Sequence, residues 1–132
     1  MTSLAGLPAF LLTLATAVGL TGLYLVIYTV ATAHNELALI RRDVVAAAVA
    51  LGGSLVGFTL PLAVAIYNAL SVLDCLVWGL VALIVQIALY WLVRLAVPDL
   101  SRRIEEDRIA AAILLGAVSL AGGLLNAAAM TE

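Results

Sequence analysis

The stretch His34-Asn35-Glu36-Leu37-Ala38-Leu39-Ile40-Arg41-Arg42-Asp43 (HNELALIRRD) separates two long apolar runs, and its reading decides the fold. It holds the one histidine of the 132-residue chain and two of its six arginines; there is no lysine. A counterpart, Pro98–Arg108 (PDLSRRIEEDR), separates two further apolar runs, and together with Arg94 it carries the other four arginines. Outward from these loops the chain is apolar over residues 9–31, 44–66, 75–97 and 109–130. One bilayer crossing needs about 20 apolar residues, so each run is long enough to span once. Lipid offers backbone groups no partner outside their own segment, so the spans are helices. The expected architecture is an all-α membrane protein with four transmembrane helices in a single domain, residues 1–132.

Composition points the same way. Hydrophobic residues make up 66% of the chain and charged residues 11%, with a mean hydropathy of +1.25. Soluble domains are roughly half apolar, so too few polar residues remain here to build a water-facing surface. Cys75, the sole cysteine, excludes an intramolecular disulfide and a cysteine-based metal cage. No basic face suited to nucleic acid is present. Ala31-Thr32-Ala33 has the small-x-small form of a signal cleavage site. The run before it is too long for a signal h-region and no basic residue precedes it, so it reads as a span.

Arginine placement sets the expected orientation. Short loops rich in arginine stay cytoplasmic, which puts both polar loops inside and both termini in the periplasm. Tyr24, Tyr28, Tyr90 and Trp91 would then lie towards the inner interface and Trp78 towards the outer one. An internal duplication shows at an offset of 64. Ile40, Asp43, Ala46, Ala47, Ala48, Leu51 and Gly52 align without a gap onto Ile104, Asp107, Ala110, Ala111, Ala112, Leu115 and Gly116. Two helices repeated in tandem would be related by a pseudo-twofold axis along the membrane normal. Small residues share one face of the second span (Ala46, Ala50, Gly53, Gly57) and of the fourth (Ala112, Gly116, Ser119, Gly123). Membrane helices associate by such close backbone approach, so these two spans form the expected packing centre, with the first and third more lipid-facing. Pro61 would kink or loosen the second span. The second polar loop reads as a short interfacial helix capped by Asp99, with Arg103 spaced to pair with Asp99 and Asp107.

Polar groups in or near the bilayer need partners and mark candidate sites. Gln86 falls near the midplane. Asn68, Ser71, Asp74 and Asn126 lie towards the outer face, where they would converge into a polar cup; Ser71 and Asp74 also suit a helix N-terminus. His34, Asn35, Glu36, Arg41, Arg42, Arg102 and Arg103 are candidate loop contacts for cytoplasmic partners. A triad cannot form, because the histidine and the Ser71–Asp74 pair lie on opposite sides of the bilayer. No catalytic, cofactor-binding or metal site is expected, and the chain reads as non-enzymatic.

His34-Asn35-Glu36, Leu39-Ile40, Gly57, Pro61-Leu62, Asn68-Ala69, Ser71 and Asp74 form the first half of a wider pattern. Trp78-Gly79, Gln86, Arg94, Gly122-Gly123, Asn126-Ala127-Ala128 and Met130-Thr131 form the second. In that order and spacing the chain resembles the YjfL-like small inner-membrane proteins, a domain-of-unknown-function family. The resemblance runs from about residue 24 to the C-terminus and includes polar residues inside apolar helices. It implies a bacterial multi-pass inner-membrane protein, in a family whose members often occur beside envelope-stress and polyamine-related proteins. The expectation is therefore an accessory or homo-oligomeric module in envelope maintenance or stress, acting in the lipid bilayer through membrane or cytoplasmic partners. Two alternatives are a small oligomeric ion or solute conduit, and a polyamine- or lipid-headgroup-binding protein using the outer cup.

Overall fold

The computed structural model describes residues 6–32 and 36–131; His34 and Asn35 lie outside the described residues. Its helices are α1 (Leu7–Ala31), α2 (Glu36–Arg41), α3 (Val45–Asn68), α4 (Val72–Ala96), α5 (Leu100–Glu105) and α6 (Ile109–Ala129). The four long helices are each long and apolar enough to cross a membrane. The short ones, α2 and α5, sit at the same end as most of the arginines, here termed the arginine end. Asn68 to Asp74 mark the far end.

The repeat is built into the backbone. α2 and α5, and the starts of α3 and α6, recur at an offset of 64 residues. Each short helix closes on the same two bonds. Asp43 N donates to Ile40 O at 3.0 Å and Val44 N to Leu39 O at 3.0 Å; Asp107 N donates to Ile104 O at 3.0 Å and Arg108 N to Arg103 O at 2.8 Å. This 5→2 and 6→1 pairing is a Schellman motif, which puts its C′ residue in the left-handed region. Asp43 and Asp107 hold that position at φ 60° and 59°, a conformation that short polar side chains adopt more readily than most. Asp107 has a further task. Its Oδ1 accepts from the Ala46 N–H at 2.9 Å, in the first turn of α3, where an acid complements the exposed amides. The buried faces of α1 and α4 match as well: Ala17, Leu20, Tyr24 and Tyr28 correspond to Gly79, Ala82, Gln86 and Tyr90 at an offset of 62.

α3 and α6 run parallel and in contact along their glycine faces. A Cβ on Gly53 would come within 2.5 Å of the Gly116 Cα. A Cβ on Gly57 would collide with the Ser119 carbonyl, and one on Gly123 with the Gly57 carbonyl. The seam expected from the small-residue faces is therefore a backbone-to-backbone contact. α1 lies outermost. α4 departs from its expected lipid-facing role, because it buries Cys75, Gly79, Ala82, Leu83, Gln86, Tyr90 and Val93. Gly79 explains the difference: it leaves room for the Leu20 and Leu62 side chains to close over α4.

The rings of Tyr24, Tyr28 and Tyr90 are buried in the bundle, while Trp78 and Trp91 are exposed. Two further expectations, both in the second polar loop, are corrected. Asp99 precedes α5 at φ 58° and makes no side-chain cap. Arg103 turns from both acids to donate its Nε–H to the Pro98 carbonyl at 2.9 Å, and the exposed pairs are instead Arg102 and Arg108 with Glu106.

The seam makes a direct prediction. Gly57→Ala or Gly123→Ala should lower the unfolding free energy in mild detergent by about 1–3 kcal/mol, the usual range for overpacking. Gly52→Ala, whose Cβ meets nothing within 4 Å, should be neutral or slightly stabilising. Equal effects at the three positions would contradict the packing.

Candidate functional site

Pro61 lies inside α3, and helix α3 continues through it. Proline has no N–H, so the carbonyl four residues earlier, that of Gly57, loses its helical donor. Gln86 on α4 supplies one. Its Nε2 donates to Gly57 O at 3.0 Å and to Ser119 O at 3.0 Å, using both amide hydrogens to bridge three helices. Gly57 is about 18 Å along α3 at 1.5 Å per residue, so this bridge falls near the bilayer midplane. Beside it the Ser54 and Ser119 hydroxyls lie 3.4 Å apart, with either as donor.

From that bridge a polar interior extends to the arginine end. Tyr24 stacks on Phe58, with centroids 4.5 Å apart and planes within 9°. Tyr28 packs 5.9 Å from Tyr24 and meets Tyr90 edge-on at 5.7 Å. All three rings are buried, and among the described residues none of their hydroxyls meets a partner in hydrogen-bonding geometry. Tyr24 and Tyr28 lie within electrostatic reach of Ser54 and of Glu36. Glu36 itself is fully buried at the start of α2. A loop carboxylate expected to face partners thus turns inward. The repeat makes this notable, because the equivalent position is Leu100, equally buried. Packing at that place is satisfied by an aliphatic side chain.

The residues of the expected outer cluster take the following places. Asn68 and Asp74 share a small far-end cavity of about 50 Å³ with Trp78 and Met130. Ser71 and Asp74 cap α4: Ser71 Oγ accepts from Asp74 N at 3.2 Å, and Asp74 Oδ2 accepts from Leu70 N at 3.3 Å. Asn126 stands half-buried on α6, its Nδ2 buried without a hydrogen-bond partner among the described residues. Gln86 belongs to the seam. At the other end Arg41, Arg42 and Arg102 are exposed and Arg103 is half-buried. Among the described residues no three His, Cys, Asp or Glu side chains are grouped to hold a metal ion. The buried tyrosines and Glu36 are what sequence reasoning missed as a cluster. The available signal was the shared face of Gly79, Ala82, Gln86 and Tyr90, spaced three and four apart.

Comparison with known proteins gives concordant results. The family model described as Domain of Unknown Function (DUF350) matches residues 1–130. The chain is 42% identical over 109 residues to the UPF0719 inner membrane protein YjfL of Escherichia coli (strain K12), covering 83% of each chain. The protein of the same name from Escherichia coli O157:H7 matches to the same extent. No solved structure matches.

An unpartnered buried hydroxyl costs about 1–3 kcal/mol, and a phenylalanine would keep each ring contact without it. Tyr24→Phe and Tyr28→Phe should therefore leave the unfolding free energy unchanged or raise it. A fall of similar size in both variants would show that the hydroxyls hold the fold together.

Proposed function

Because the chain belongs to the DUF350 family of inner-membrane proteins, we propose a role that needs no chemistry of its own: a non-enzymatic, multi-pass module that works as a homo-oligomer in envelope maintenance. Both termini face the periplasm in this reading, and the arginine end faces cytoplasmic partners. Arg41 and Arg42, exposed in one loop, and Arg102 in the other supply the positive charge that keeps short loops inside. The same groups offer contacts to anionic headgroups or acidic partner segments.

One observation carries the oligomer. A Cβ on Gly19 or Gly22 of α1 would meet nothing within 4 Å, and a cleft of about 460 Å³ opens beside Gly22 between α1 and α3, lined in part by Val18, Thr21, Thr59 and Ala63. Glycine weakens a helix interior by about 1 kcal/mol relative to alanine. In a lipid-facing helix that cost is offset when a neighbouring helix packs closely against it. A second copy of the chain supplies such a helix. The α3–α6 seam, in contrast, is already closed within one chain.

Mass measurement in mild detergent should give a multiple of the chain mass, reduced to the monomer by Gly22→Leu while helix content is kept. A strict monomer at every concentration, or an oligomer indifferent to Gly22→Leu, would overturn the reading. The orientation is checked separately. A thiol introduced by R102C should resist an impermeant reagent in intact cells and react after the membrane is opened.

A further inference from the structure

We infer that the cavity between the end of α4 and α5 holds a zwitterionic phospholipid headgroup, one that joins a phosphate to a primary ammonium as in phosphatidylethanolamine. The site needs neither the oligomer nor the orientation proposed above, only a chain seated in a bilayer. Its volume is about 380 Å³, and Arg94, Asp99, Leu100, Arg102 and Glu105 line it in part. Small-molecule sites run from about 300 to 1,000 Å³. Two guanidinium groups and two carboxylates thus share one space of ligand size. Arg94 is exposed in the last turn of α4, inside a helix apolar enough to cross a membrane. Trp91, Leu92 and Leu95 beside it are exposed as well, so this turn faces lipid. A cation at that depth needs a partner, and the protein supplies none. Among the described residues the side chains of Arg94, Asp99 and Glu105 take part in no hydrogen bond or ion pair; the bonds formed nearby are those of Arg103 with the Pro98 carbonyl and of Arg102 and Arg108 with Glu106. Nor does the turn demand these charges. The first half builds the same short helix and the same closure with Thr32, Ala38 and Arg41 where the second half has Arg94, Arg102 and Glu105.

The order of charge along the membrane normal selects the ligand. Arg94 lies within the span, whereas Asp99 and Glu105 lie beyond it, just before α5 and at its end. A phospholipid with an ethanolamine headgroup carries the complementary order, its phosphate next to the glycerol and its ammonium further towards water. The phosphate accepts from the Arg94 guanidinium, whose planar fork suits phosphate oxygens. Arg102 adds donors beside the Nε that meets Glu106 at 3.4 Å. The ammonium donates to Asp99 and Glu105. An anionic headgroup without an amine would leave both carboxylates unmatched, and a choline headgroup has no N–H to donate. The acyl chains then run along the exposed side chains of Trp91, Leu92 and Leu95, which supply the apolar surface that a soluble phosphate ester cannot use.

Native mass spectrometry of the full chain, released from detergent micelles holding equal amounts of phosphatidylethanolamine, phosphatidylglycerol and phosphatidylcholine with the same acyl chains, tests this. Phosphatidylethanolamine should be retained about two- to fivefold over each of the others, the scale of one exposed charge pair. Arg94→Gln should lower the retention of all three lipids, because all carry the phosphate. Asp99→Asn combined with Glu105→Gln should abolish the preference for the ethanolamine lipid and leave phosphate-dependent retention in place. Arg108→Gln, outside the cavity, should change neither. Each of these side chains is exposed, so the substitutions spare the core. Soluble phosphoethanolamine at the same concentration should not displace the lipid. Equal retention of the three lipids, a preference for phosphatidylglycerol, retention unmoved by Arg94→Gln, a preference kept by the double variant, or displacement by soluble phosphoethanolamine would each overturn the assignment.

Discussion

The orphaned carbonyl of Gly57 constrains the rest of the bundle. Pro61 creates it by withholding a donor, and in hydrocarbon an unsatisfied backbone group costs several kcal/mol. The Gln86 amide answers it from another helix and takes Ser119 O with its second hydrogen. For that reach to be possible, α4 must lie against both α3 and α6. The glycines at 53, 57, 116 and 123 are the means, because only backbone against backbone leaves the two carbonyls close enough to share one amide. A proline that sequence rules treat as a weak point thus anchors the crossing of three helices.

The tandem repeat supplies the frame and its asymmetries supply the individuality. Two aspartates turn the chain identically, and α2 and α5 lie at equivalent places. Yet the same buried position is Glu36 in one half and Leu100 in the other, while the faces of α1 and α4 pair Tyr24 with Gln86 and Tyr28 with Tyr90. Polar groups accumulate on one line from the arginine end to mid-bundle. The opposite end holds capping groups and a cavity of about 50 Å³.

Much of this was legible in the chain, and the failures have identifiable causes. Span number followed from hydropathy, and the α3–α6 seam from small residues at spacings of three and four. The duplication was readable because Asp43 and Asp107 recur in register, although their left-handed turns were not foreseen. Gln86 was identified as an intramembrane amide, but its partners were not, since a proline and a carbonyl twenty-five to twenty-nine residues away must first be folded beside it. A rule about depth says nothing of burial: aromatic rings favour the interface, and Tyr24, Tyr28 and Tyr90 are turned inward by the faces of their helices. Glu36 lies in a polar stretch that reads as loop, and its burial at the start of the short helix α2 has no signal in that stretch. At the far end Asn68 and Asp74 line one cavity, and the local capping by Ser71 and Asp74 is the part that their spacing makes legible.

The most direct test of this account is a double-mutant cycle of unfolding in mild detergent on Gln86→Leu and Pro61→Ala. Alanine at position 61 regains the N–H that serves Gly57 O, so removing the Gln86 amide should then cost less than it does beside the native proline. The account predicts a coupling of about 1 kcal/mol or more, within the range for groups sharing one network. Additive effects of the two substitutions would contradict it.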